Sequence, residues 1–211
     1  MTPHPTTSPD TDLSYLRQLA EAGKDAPLMA GPYLVAGGSW FAAASLAQWP
    51  VLRTAFDLDV AEAAGLWFVA AAGFAFHLAW LVRRDRGRPE NASNRAVNTT
   101  WQGVGFAIFA FWLGVAALAY RRDDYFLINT VLLQVLSLYG AAWMLAARMT
   151  GRGWMQANAI FAFLTVPVLG VLMGTGQEFL VYAIALVLTA VVPGVRLMRE
   201  AHARSSSAAG A

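Results

Sequence analysis

The sequence predicts an all-α membrane protein, a six-transmembrane-helix bundle with a short amphipathic helix at its amino-terminal end. Three observations predict it. The 211 residues are 57% hydrophobic and only 13% charged, far from the balance of a water-soluble domain. The apolar residues gather in runs of roughly 18–22, the length that crosses about 30 Å of hydrocarbon as a helix. The basic residues cluster in alternate connections between those runs, the pattern that orients helical membrane proteins. A transmembrane β-barrel would instead show short alternating segments.

Residues 1–10 are rich in Pro, Thr and Ser and read as a disordered tail. Residues 11–27 read as an amphipathic surface helix. Thr11 or Asp12 caps it, and Leu13, Leu16 and Leu19 share one face opposite Arg17, Gln18 and Glu21. That leucine face suits either the membrane surface or a protein partner.

The bundle occupies 28–199. Its six expected spans are 29–52, 63–82, 101–120, 125–147, 155–172 and 179–197, with a long polar loop at 83–100 and a disordered tail at 200–211. The 83–100 loop carries Arg83, Arg84, Arg86, Arg88 and Arg95. With the amino terminus in the cytoplasm, twelve of the fifteen basic residues fall on the cytoplasmic side. Only Arg53, Arg121 and Arg122 remain outside. Both termini are therefore expected in the cytoplasm, with a bacterial inner membrane as the location. This topological role also accounts for the arginine loop without a nucleic-acid partner. The lipid bilayer is the expected surrounding.

A fragment, Ala-Ile-Phe-Ala-Phe, recurs at 107–111 and 159–163. If it marks a repeat, spans two and three correspond to spans four and five.

The absence of cysteine excludes disulfides, thiol chemistry and cysteine-held metals. His4 and His202 lie outside the apolar runs, which excludes bis-histidine haem. The sequence contains no metalloprotease, phosphate-loop or nucleophile-elbow motif. Hence no catalytic residue, cofactor or metal is expected.

The candidate intramembrane polar site is His77 with Asn129, Thr130, Gln134 and Ser137. His77 lies six residues before Arg83, so about 9 Å inside the boundary by helical rise. Polar groups at that depth are costly, and they need either a functional return or a hydrogen-bonding neighbour. Thr130, Gln134 and Ser137 form one stripe at i, i+4 and i+7. Pro167 should disturb its helix by removing the bond to the Phe163 carbonyl, with Thr165 placed to help. Gly170 and Gly174 form a GxxxG that suits close helix packing, within one bundle or between copies in a homo-oligomer. Glu178 opens the last span, where a carboxylate favours a helix amino terminus.

Two functions fit these features. One is a non-enzymatic subunit or regulator acting through partner contacts. The other is a small permease or channel for a neutral or apolar molecule, with the polar stripe, His77 and Pro167 along its path.

Overall fold

The computed structural model describes residues 30–86 and 92–209. Among them every regular element is a helix. In order these are α1 (Gly31–Gln48), α2 (Pro50–Ala55), α3 (Val60–Asp85), α4 (Ala92–Arg122), a 3-10 turn (Tyr125–Asn129), α5 (Thr130–Thr150), α6 (Gly153–Leu172), α7 (Gln177–Leu186), a π-helical segment (Val187–Val191) and α8 (Val192–Ala209). Five stretches are long and apolar enough to cross a membrane: Ala64–Asp85, Asn94–Arg122, Tyr125–Thr150, Gly153–Leu172 and Gln177–Ala203. Their length and composition mark a membrane-embedded protein. The surface helix expected at 11–27 lies outside the described residues.

The expected first span is not one of the five. Gly31, Gly37, Gly38, Ser39 and Ser45 lower its hydropathy, and its packing explains why. α1 lies between α3 on one side and α7, the π segment and α8 on the other. Gly31 meets Gly194 backbone to backbone, Gly38 meets Ala190, and the Ser45 hydroxyl donates to the Phe179 carbonyl at 2.7 Å. These residues recur every seven positions on α1, so one face of small side chains runs antiparallel along the last helix. On the other face, Gly37 meets the Phe74 ring and Trp40 lies on Gly73. A more hydrophobic α1 would be too bulky to fit.

Helix ends follow local chemistry. Trp49 is extended (ψ 127°) ahead of Pro50, which ends α1 four residues short of the expected span. Asp59 and Glu62 close a reciprocal capping box, with bonds of 2.7 and 3.0 Å, and start α3. Gly151 ends α5 at φ 70°. The long loop expected at 83–100 is corrected: α3 continues to Asp85 and α4 begins at Ala92. Asn94, Val97, Trp101 and Val104 fall at i, i+3, i+7 and i+10, and three of the four are buried. This packed seam keeps a polar stretch helical. At the other end α8 continues through the expected tail as far as Ala209, supported by the Arg196–Glu200 pair at 3.1 Å.

The helices form two groups. α3 packs on α1, which packs on α7–α8; α4 packs on α5, which packs on α6, the most extensive pairing in the fold. α6 then joins α7 and the π segment. The consecutive helices α3 and α4 therefore belong to different groups. The fragments at 107–111 and 159–163 differ in surroundings too: Ala159 and Ala162 are fully buried while Ala110 is exposed.

Candidate functional site

The polar stripe of α5 is engaged with helix backbone. Thr130 Oγ1 donates to the Leu127 carbonyl at 2.7 Å, and Ser137 Oγ to the Leu133 carbonyl at 2.9 Å. Gln134 Nε2 donates across to the Ala107 carbonyl of α4 at 3.1 Å, while its buried Oε1 has no partner. Asn129 precedes α5 without a side-chain bond to its amino terminus. Gln134 thus links α5 to α4, a common use of polar side chains in membranes, while Thr130 and Ser137 bond to carbonyls in the turn before them. Gln134→Leu should accordingly change stability by no more than about 1 kcal/mol, since one weak bond and one unsatisfied oxygen disappear together. Unfolding in mixed micelles measures this, and a loss above about 3 kcal/mol would show that more depends on the amide.

His77 is not brought to that stripe. It sits half-buried on α3, its ring 5.9 Å from Trp80, in a crevice shared with Trp40, Gly73 and Phe76. Pro167 lies on an exposed face of α6, which stays helical through it. The Thr165 hydroxyl bonds to Phe161, not Phe163. Gly170 and Gly174 do not share a helix face, because α6 ends at Leu172 and Gly174 turns at φ 85° against the Phe126 ring.

The backbone disturbance expected at Pro167 is found instead at Pro193. Proline has no N–H to give the carbonyl four residues back, which here belongs to Thr189. Around it the helix widens, and the Val192 N–H bonds to the Val187 carbonyl, five residues away. The Thr189 carbonyl is taken by Trp143 Nε1 from α5 at 2.8 Å. The Asn158 amide of α6, in the orientation that satisfies both its ends, donates to the Leu188 carbonyl at 3.2 Å and accepts from Trp143 Nε1 at 2.9 Å. Three helices thus meet at one buried polar node. Trp143 also joins a chain of rings, Tyr139–Trp101–Trp143–Trp154, spaced 5.2 to 5.6 Å and ending with Arg196 stacked 4.5 Å over Trp154.

Glu178 lies at the opposite end of the last helix. It is 1% exposed, its Oε1 accepts from the Gly174 N–H at 2.9 Å, and its Oε2 has no partner among the described residues. Its burial was not readable from the sequence, where it stands beside a polar turn.

The least covered of the candidate spans are α3 and α4. In each, only 11% of the most apolar window is buried, against 44%, 28% and 50% in the other three candidate spans. On α4 the positions Gly103, Ala107, Ala110, Gly114 and Ala117 follow helical spacing and form one narrow line of small residues. All but Ala107 are exposed, and nothing lies within 4 Å of where a Cβ would stand on Gly103 or Gly114. Gly31, Gly38, Gly73, Gly140 and Gly194, by contrast, are each pressed closer than 3.0 Å by a neighbour.

Comparisons with protein-family models, with curated proteins and with solved structures give no match to this chain.

Proposed function

We propose that the chain is a six-span protein of a bacterial inner membrane, α1 being the sixth span, with both termini in the cytoplasm. It acts as a non-catalytic subunit or regulator by binding a transmembrane helix of another membrane protein along the outer line of α4. The carrying observation is that line of small residues. Elsewhere in this fold Gly31, Gly38, Gly73, Gly140 and Gly194 sit at close helix contacts, and the α4 line offers the same kind of small residues with Gly103 and Gly114 open among the described residues. Small residues let membrane helices approach closely, where dispersion and weak hydrogen bonds replace the hydrophobic drive. The alternative of a permease needs the α5 stripe to face a path. Its bonds to backbone carbonyls favour the subunit reading.

The test is native mass spectrometry of chain extracted gently from its own membrane, beside Ala110→Leu and Gly114→Leu. The expected result is a second polypeptide in fixed ratio, reduced at least about tenfold in either variant, a loss of some 1.4 kcal/mol. Melting temperature should not fall in either variant, because both positions are exposed. A multiple of the 22.7 kDa chain, sensitive to the same substitutions, would make the partner a second copy. Undiminished association in both variants would remove α4 as the contact.

A further inference from the structure

We propose that the crevice between α1 and α3 binds one anionic phospholipid, with its acyl chain against Trp40 and Trp80 and its phosphate on Arg84. The crevice has a volume of about 550 Å³ and is lined by Trp40, Gly73, Phe76, His77 and Trp80. Gly73, His77, Trp80 and Arg84 follow at i, i+4, i+7 and i+11, a single line along α3 toward its arginine end. Gly73 gives the crevice its floor. A Cβ there would stand 2.7 Å from the Trp40 ring, so only glycine lets that ring lie against α3.

The mouth is built from charge. The Arg84 guanidinium sits 5.2 Å over the Trp80 ring and its Nε donates to Asp85 Oδ1 at 3.0 Å. Asp85 Oδ2 accepts from the Tyr33 hydroxyl of α1 at 3.1 Å, which ties the two helices together at this end. Arg84 is thereby held in place while guanidinium N–H groups not used by Asp85 remain for a second anion. Among the described residues at this end of α3, Arg83, Arg84 and Arg86 stand in sequence beside the single carboxylate of Asp85, a net positive charge. Guanidinium groups pair well with phosphate oxygens, and basic pockets at the end of membrane helices suit anionic headgroups. Deeper in, His77 makes no hydrogen bond within the described residues. Its ring lines an apolar crevice, where a polar group without a partner is costly. The ester oxygens of a lipid would accept its N–H. Aromatic walls, one inward polar group and a cationic rim together describe an amphiphile with a negative head.

The experiment incubates the purified full chain with dioleoylphosphatidylglycerol or dioleoylphosphatidylcholine at equal mole ratio and reads retained lipid by native mass spectrometry. One phosphatidylglycerol per chain is expected, about fivefold more than phosphatidylcholine, the factor one basic contact supplies. Arg84→Gln should bring the two lipids level. It leaves the Tyr33–Asp85 bond intact, and an unchanged melting temperature would confirm the fold. Arg121→Gln, at the far end, should change nothing. His77→Phe should weaken retention of both lipids, and the same weakening should appear whichever headgroup is used. Equal retention of the two lipids by the parent chain would overturn the proposal. So would an Arg84→Gln variant that still prefers phosphatidylglycerol, or a bound polypeptide that displaces the lipid from this crevice.

Discussion

Gly194→Ala is expected to destabilise the protein by about 2 kcal/mol, although alanine is the better helix former by about 1 kcal/mol. A Cβ on Gly194 would stand 2.8 Å from the Gly31 carbonyl oxygen and 2.8 Å from Val35 Cγ2. The oxygen belongs to backbone and cannot rotate away, so α1 and α8 must separate. Gly31→Ala should cost a similar amount, since its Cβ would meet the Gly194 carbonyl at 2.8 Å. The control is Gly114→Ala, with open space around it, where propensity alone operates and stability should rise by up to about 1 kcal/mol. All three are measured by unfolding in mixed micelles followed by circular dichroism. The same sign for Gly194→Ala and Gly114→Ala would mean that the α1–α8 contact does not depend on the missing side chains.

That contrast also shows which features were legible. Apolar runs located the helices, because a membrane-crossing helix needs an unbroken stretch of such residues wherever it packs. They could not say which glycine is squeezed and which is open, since Gly31 and Gly114 stand in similar company along the chain. The first span was expected from its apolar content, but its small residues record a second requirement, a place between two neighbours. The start of α4 has the composition of a loop, because Asn, Arg and Thr dominate from 91 to 100. The signal was present in the helical spacing of Asn94, Val97 and Trp101, and composition outweighed it. Among the polar candidates, the stripe of Thr130, Gln134 and Ser137 was visible as a stripe. Its bonds to carbonyls depend on neighbours that only the fold supplies. Trp143, Asn158 and Thr189 come from three helices, so no local pattern joins them. Glu178 is legible as the start of the last span, but its burial is not, because it depends on the turn at 174–176 packing against Pro50 and Phe126.

Pro193 interrupts the hydrogen-bond ladder of the last helix. Each proline inside a helix leaves one carbonyl without its donor, and in a membrane that carbonyl needs another. For the Thr189 carbonyl that donor is Trp143, 46 residues away along the chain. Trp143→Phe keeps most of the ring volume and removes the N–H, so it should cost roughly 1–3 kcal/mol by leaving a buried carbonyl poorly paired. Pro193→Ala restores an N–H one turn beyond Thr189 and lets the segment Val187–Val191 return to ordinary helical bonding. In that background Trp143→Phe should cost less, with a coupling of about 1 kcal/mol or more between the two sites. Asn158 shares the Trp143 N–H and donates to the adjacent Leu188 carbonyl, so the cycle is repeated with Asn158→Leu, where the coupling should grow. Strict additivity in both cycles would show that tryptophan and proline act independently. The widened helix would then need a cause other than the missing donor.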